Sequence, residues 1–88
     1  MEFRWTERNV EHVGEHGIEP AEAEILIRSA RTSQWEYRGD RKWLVRGRGL
    51  GGRFLQVIFV ISEDGAIIVI HARPMSDAEK RRYRRRGK

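Results

Sequence analysis

The chain has no cysteine and only two prolines among its 88 residues. Without cysteine it can form neither a disulfide framework nor a zinc site built on thiolates. Its longest apolar stretches, 57–61 and 66–70, have the length of strands and fall far short of the roughly 20 residues that a membrane-spanning helix needs. The first residues also lack the basic and apolar regions of a signal peptide. We therefore expect a soluble, cytoplasmic protein that does not enter a membrane.

Enough apolar and aromatic side chains are present to build one small core. Hydrophobic residues make up 39% of the chain and include three tryptophans, whereas charged residues make up 35%. This balance is typical of a folded but very polar domain. A chain of this length supports one modest core, so residues 1–88 are predicted to form a single domain.

The positive charge is concentrated in the last sixteen residues, Arg73–Lys88. This segment carries eight of the chain's eighteen lysines and arginines together with only two acidic residues. Ser76 and Glu79 have the spacing of a capping box, which predicts that a helix begins there. A basic helix that includes Tyr83 is typical of a polyanion-binding surface. The alternative is a solvated, fraying tail.

Hydrophobic periodicity and turn residues predict an α+β fold. Thr6 is a candidate helix N-cap, Gly17 a helix terminator and Asp64-Gly65 a hairpin turn. The predicted elements are, in chain order, a short strand at Phe3–Trp5, helices Glu7–Glu15 and Ala21–Ser29, strands Ser33–Arg38, Lys42–Arg48, Phe54–Ile61 and Ala66–Ala72, and the basic C-terminal helix. The later strands are expected to form an antiparallel meander, with the helices packed on one face of the sheet.

Alternation along the strands assigns side chains to the two faces of this sheet. The face toward the helices is predicted to carry Trp43, Val45, Leu55, Val57, Phe59, Ile68 and Ile70. The opposite face is predicted to carry Arg46, Arg48, Gln56, His71 and Arg73. An arginine-rich sheet face beside a basic helix favours phosphate binding, although antiparallel sheets commonly leave one charged face in water.

Two features of the chain superficially resemble cofactor sites. His12 and His16 are one helical turn apart on the face that also holds Asn9, but the sequence offers no evident third metal ligand beside them. The glycine-rich segment 47–52 joins two strands and does not end in the Gly-Lys-Ser/Thr of a phosphate loop. We therefore predict neither a metal nor a cofactor, and His12 stays a candidate catalytic residue.

Both ends of the chain carry motifs that resemble one known family. At the N-terminus these are Phe3-x-Trp5, Asn9-x-x-His12 and His16-Gly17-Ile18-x-Pro20-x-Glu22-Ala23. At the C-terminus the run is Ile70-His71-Ala72-Arg73-x-Met75-Ser76-x-x-Glu79-Lys80-Arg81-Arg82-Tyr83. Together they are similar to the two ends of the BrnT family of ribonuclease toxins, over nearly the whole chain. The chain departs from the usual pattern at two positions. A basic residue is commoner at the position of Glu15, and a small hydroxyl residue is commoner at the position of His71.

The resemblance implies a RelE-like fold and metal-free cleavage of RNA that arrests growth. It also implies a type II toxin–antitoxin pair, in which a small antitoxin, a ribbon-helix-helix DNA-binding protein, blocks the toxin. Operator DNA would then be bound only through the antitoxin.

Metal-free RNA cleavage requires a proton acceptor, a proton donor and cations around the phosphate. The candidate catalytic residues are Arg73, Tyr83, Glu79 and His12, and the candidate RNA-binding residues are Arg46, Arg48, Lys80 and Arg82. Structural roles stay open for three of them: Glu79 as a helix cap, Tyr83 as a packing contact and Arg73 in an ion pair. The alternatives for the whole chain are a nucleic-acid-binding module without catalysis and a domain whose basic helix docks an acidic protein.

Overall fold

The computed structural model describes residues 1–86; Gly87 and Lys88, the end of the predicted basic segment, lie outside the described residues. The elements are α1 (Glu7–Gly14), α2 (Pro20–Ser29), a short 3-10 helix (Thr32–Gln34), β1 (Glu36–Tyr37), β2 (Lys42–Arg48), β3 (Phe54–Ile61), β4 (Ile67–Pro74) and α3 (Asp77–Arg86). The four strands form one antiparallel sheet in the order β1-β2-β3-β4. The chain is therefore an α+β protein, as predicted. Within residues 1–86, no helix combines the length and the apolar character needed to cross a bilayer.

Local signals in the sequence set the ends of the first two helices. The Thr6 hydroxyl accepts a hydrogen bond from the Asn9 backbone amide and so caps α1. Gly17, at φ 73°, reverses the chain after α1 without the strain that a side chain would bring there. Pro20 occupies the first turn of α2, where no backbone donor is needed. The sequence predicted all three of these signals.

The core lies between the sheet and the first two helices. Its almost fully buried members are Val13, Ile18, Ala23, Leu26, Ile27, Val45, Leu55, Val57, Phe59, Ile67, Val69 and Ala72. Trp35 and Trp43 pack against this cluster, and the Trp35 ring meets Phe59 edge-on at a centroid distance of 4.9 Å. Burial of these apolar groups is the main force that holds α1 and α2 on the sheet.

The predicted facing of β4 is wrong for the first half of the strand. Ile67 and Val69 are buried in the core, whereas Ile68 and Ile70, which were predicted to point there, are only partly buried. The register with β3 shifts between Val69 and His71, so Ile70 is an extra residue in a β-bulge. The extra residue exchanges the two faces on which side chains alternate along the strand. After the bulge the side chains therefore lie on the faces predicted for them, with Ala72 in the core and His71 and Arg73 on the opposite face.

Two predicted strands are shorter than expected. At the N-terminus, Phe3 forms a single parallel bridge with Ile67 in place of a strand at Phe3–Trp5. In the segment 33–38, the 3-10 helix comes first and only Glu36–Tyr37 pair as a strand. The 3-10 helix turns the chain so that Trp35 packs against the core, which leaves two residues to pair with β2.

Candidate functional site

A row of polar side chains crosses the sheet on the face away from the core. Arg46 of β2 is in register with Gln56 of β3, and Gln56 with Arg73 of β4. Side chains in register on neighbouring strands stand about 5 Å apart, and Arg46 Nε donates a hydrogen bond to Gln56 Oε1 over 3.3 Å. Two guanidinium groups thus share this face with one amide between them, as the strand alternation predicted.

Contacts of Glu79 and Tyr83 hold helix α3 against the same face. Glu79 binds Arg73 on β4, and the Tyr83 ring packs edge-on to Phe54 of β3 with 5.8 Å between centroids. The predicted capping box is present, because the Ser76 amide donates to Glu79 Oε1 over 2.8 Å and the Glu79 amide donates to Ser76 Oγ over 3.2 Å. As far as residue 86, the basic segment is an anchored helix rather than a fraying tail.

A cleft of about 400 Å³ opens between α3 and the β1–β2 side of the sheet. Its lining residues are Ser33, Gln34, Glu36, Arg46, Glu79, Arg82 and Tyr83. Arg46 comes from the sheet and the last three from α3, so the fold brings together four residues that the sequence proposed separately. A lining this polar suits a polar, extended ligand better than an apolar small molecule.

The Arg73 guanidinium is bound to Glu79 through two parallel hydrogen bonds of 2.7 and 2.6 Å. The bonds from Arg73 and from the Ser76 amide hold the pKa of Glu79 well below its usual range. The same pairing raises the pKa of Arg73. Glu79 is thus an anion whose oxygen atoms are occupied, which makes it a poor proton acceptor. Both structural roles left open for this pair, the ion pair and the helix cap, are present.

A second arginine is held in the same way at the start of α2. Glu22 binds Arg53 through hydrogen bonds of 2.7 and 2.8 Å, and Arg53 also donates to the Gly17 carbonyl. The bond from Arg53 is the largest cause of the lowered pKa of Glu22. Neither Glu22 nor Arg53 lines the cleft. This pair therefore offers a matched control for Arg73 and Glu79.

Two of the predicted RNA-binding cations also have acidic partners. Arg46 Nη1 donates to Glu36 Oε2 over 2.6 Å, and Lys80 Nζ lies 3.7 Å from Asp77 Oδ1. Arg82, in contrast, forms no salt bridge within residues 1–86. Both pairs are partly open to solvent, which weakens ion pairs, so these partners do not prevent Arg46 or Lys80 from binding an anion.

Two arginine side chains and the Tyr83 ring surround the ring of Phe54. The guanidinium carbons of Arg48 and Arg84 lie 4.8 and 5.3 Å from the centre of the Phe54 ring, against which Tyr83 packs. Gly47 lies beside the Tyr83 hydroxyl, and a Cβ at Gly47 would be in ordinary van der Waals contact with that oxygen at 3.5 Å. The packing role foreseen for Tyr83 is therefore present, while its side chain also lines the cleft.

All three histidines of the chain meet at β4, the last strand of the sheet, beside α1. The ring centroid of His71 lies 5.9 Å from that of His12 and 5.3 Å from that of His16. Burial lowers the pKa of His71, and so do the positive charges of His16, His12 and Arg73. His12 thus does not line the cleft, but its ring lies 5.9 Å from that of His71, which is two residues before Arg73 on β4.

Several of these neighbours were not indicated by the sequence. Ser33, Gln34 and Glu36 belonged to a predicted strand and carried no functional signal. His71 was predicted on the polar face of the sheet, but nothing placed it beside α1. The bulge in β4 and the packing of α1 on that strand decide its position, and both depend on distant parts of the chain.

Within residues 1–86, no three or more His, Cys, Asp or Glu side chains are arranged to hold a metal ion. Activity without a metal stays a prediction. A scan against protein-family models finds no match for this chain, and a search of curated proteins finds none either.

Proposed function

We propose that this protein is a metal-independent ribonuclease, the toxin of a type II toxin–antitoxin pair, with the RelE-like fold of the BrnT family. It acts in the cytoplasm, where it cleaves RNA and arrests growth. The observation that carries the proposal is the cleft in which Arg46 of the sheet meets Arg82 and Tyr83 of α3, directly beside the pair of Arg73 and Glu79.

Single-stranded RNA is the substrate that suits this cleft. Its phosphates bind guanidinium groups, and its unstacked bases stack on aromatic rings and on arginine planes. Tyr83 stands between Arg82 in the cleft and the Arg48–Phe54–Arg84 cluster beside it. Cations for the backbone and a ring for a base therefore occur within one short stretch of surface.

Within this proposal, Arg73 binds the scissile phosphate. Glu79 and the Pro74 carbonyl occupy three of the five N–H groups of its guanidinium, which leaves two for a phosphate. A guanidinium held in place in advance stabilises the negative charge that develops on phosphorus in the transition state. Glu79 then acts as a positioning residue for Arg73 rather than as the general base suggested by the sequence.

The first test compares cleavage of single-stranded RNA by purified wild type, Arg73→Lys and Arg53→Lys. Arg73→Lys keeps the charge but loses the fork of donors, so we expect kcat to fall roughly 10²–10³-fold with little change in RNA affinity. Arg53→Lys breaks the equivalent pair with Glu22, neither member of which lines the cleft, and should keep wild-type turnover. Equal turnover by all three proteins would remove Arg73 from the site. EDTA should leave the wild-type rate unchanged.

The proposed antitoxin is tested in cells. Induction of the wild type should arrest growth, and co-expression of a small ribbon-helix-helix-type protein encoded next to it should restore growth. Gel-shift assays should show operator DNA bound by the pair and not by the toxin alone. Growth that continues normally on induction, with folded protein present, contradicts the toxin assignment.

One observation favours a second candidate, a module that binds nucleic acid or an acidic protein without catalysis. Arg73 and Arg46 are both paired with carboxylates, an arrangement that a purely structural role also produces. Such a module would bind RNA with a salt-dependent affinity. It would cleave neither free RNA nor RNA on ribosomes, which separates it from the ribonuclease.

A further inference from the structure

The cluster of three histidines contains side chains that the proposed cleavage still needs. α1 supplies His12, the turn after α1 supplies His16, and β4 supplies His71, two residues before Arg73 on the same strand. Cleavage by the 2′-hydroxyl needs one proton acceptor and one proton donor. Imidazole fills either role near neutral pH, whereas Glu79 is already occupied by Arg73 and by the helix cap.

His71 has the surroundings of a proton acceptor. The groups that face it are the rings of His12 and His16 from α1 and the turn after it, and the guanidinium of Arg73 on its own strand. Its partner across the sheet is the uncharged Ile58. Burial and these positive charges lower the pKa of His71, which favours the neutral ring, the form that can accept a proton.

His12 has the surroundings of a proton donor. Its side chain is 48% exposed, so a substrate reaches it, and its Nδ1 lies 3.6 Å from Glu15 Oε1. The carboxylate pairs with the ring when the ring is protonated, and Nε2 is then the nitrogen that points away from Glu15 and can donate. His16 meets His71 edge-on at 5.3 Å and is placed to orient it.

We propose, on the basis of the ribonuclease function above, that His71 is the general base and His12 the general acid, with the scissile phosphate held between them by Arg73. His71 takes the proton of the 2′-hydroxyl, and the 2′-oxygen forms a bond to phosphorus. The bond from phosphorus to the 5′-oxygen breaks, and His12 gives that oxygen its proton. The products are a 2′,3′-cyclic phosphate and a 5′-hydroxyl, and no other reactant is consumed. Centroids 5.9 Å apart allow the two rings to contact one phosphodiester from two sides.

The variants His71→Gln and His12→Gln test the two roles separately. Each should lower kcat about 10²–10⁴-fold while RNA affinity stays near that of the wild type. The wild-type rate should rise and then fall with pH. His71→Gln should lose the rise, because the neutral base is no longer needed, and His12→Gln should lose the fall, because the protonated acid is no longer needed.

A substrate with sulfur in place of the bridging 5′-oxygen gives a sharper test, because a thiolate leaves without being protonated. His12→Gln should regain most of the wild-type rate on this RNA, whereas His71→Gln should not. Since His12 is exposed, its replacement is expected to leave the fold intact, which circular dichroism and thermal unfolding check.

His16→Gln serves as the control for the cluster. It removes a neighbouring ring but no proton-transfer group, so the loss of turnover should be smaller and both limbs of the pH profile should stay. NMR titration should show the pKa of His71 rising in this variant, because one positive neighbour is gone. If the wild type cleaves RNA and the His12 and His71 variants cleave it equally fast, the assignment of the two histidines is wrong but the ribonuclease function stands. If the wild type cleaves neither ordinary RNA nor the sulfur-substituted RNA, both proposals fail.

Discussion

Glu79 performs two structural tasks with one carboxylate. One oxygen accepts the Ser76 amide at the start of α3, and both bind the Arg73 guanidinium on β4. The side chain is 19% exposed, so the pair is only partly screened by solvent. The beginning of α3 and the orientation of Arg73 therefore depend on the same negative charge.

Replacement of Glu79 by glutamine separates these tasks. Glutamine still accepts the Ser76 amide, but it carries no charge beside Arg73, so the free energy of unfolding should fall by about 1 kcal/mol at neutral pH. Because the pKa of Glu79 is lowered in the fold, this contribution is present above the ordinary glutamate pKa of 4.5 and is lost as the pH falls below it. Urea unfolding of wild type and variant from neutral to acid pH measures the difference.

The matched control is Glu22→Gln, which removes the charge beside Arg53. The pKa of Glu22 is also lowered, so the stability difference should again shrink in acid. Only Glu79→Gln should lower turnover on RNA, because only Glu79 holds Arg73. A stability deficit of Glu79→Gln that stays constant down to acid pH would contradict the ion-pair explanation.

At the scale of elements, the loop between β2 and β3 decides how closely α2 approaches the sheet. Gly49 is buried in this loop, and a Cβ there would lie 2.7 Å from the Glu22 carbonyl oxygen and 2.7 Å from Leu55 Cδ1. The carbonyl belongs to the backbone of α2, so it cannot move aside as a flexible side chain does. Glycine in this loop thus serves the close packing of α2 as well as the turn between β2 and β3.

The substitutions Gly49→Ala and Gly14→Ala should therefore differ in their effect on stability. Gly49→Ala must push α2 away from the loop, and we expect the free energy of unfolding to fall by about 1–3 kcal/mol. Gly14 is the last residue of α1, and a Cβ there meets nothing within 4 Å. Alanine in its place should leave stability unchanged or raise it by up to about 1 kcal/mol. Denaturant unfolding of both variants measures these changes in the free energy of unfolding. A Gly49→Ala variant as stable as the wild type would show that α2 does not approach the loop so closely.

At the scale of the whole molecule, charge divides between two layers. The first 27 residues, which hold α1 and most of α2, contain seven glutamates and two arginines. The basic helix α3 and the arginine row lie on the other face of the sheet. A polyanion is therefore attracted to one side of the molecule and repelled from the other.

Position, and not net charge alone, should therefore control RNA binding. Neutralising Arg84 and Arg85 of α3 with glutamine should flatten the dependence of log affinity on log salt by about 0.7 for each phosphate that the variant no longer neutralises. The control variant, Arg4→Gln with Arg53→Gln, loses the same net charge at two arginines bound to Asp64 and Glu22. Its salt dependence should match that of the wild type. Equal flattening in both double variants would mean that only net charge matters.

Sequence patterns predicted the elements that local chemistry specifies. The bounds of β2 and β3 agree with the structure, because dense apolar runs between turn residues mark them. The caps at Thr6 and Ser76 also agree, since each involves groups three residues apart. The N-terminal strand was overestimated, because a pairing with Ile67 depends on a strand far along the chain.

The sequence by itself determined the α+β class, the polar face with Arg46 and Arg73, and the start of the basic helix. Only the tertiary structure decided that Glu79 is occupied by Arg73, that the segment 33–36 borders the cleft, and that His71 meets the histidines of the first helix. The physical reason is the range of the interactions. Caps, turns and alternation are set within a few residues, whereas a bulge, an ion pair between elements and the packing of a helix on a strand depend on the free energy of the whole fold.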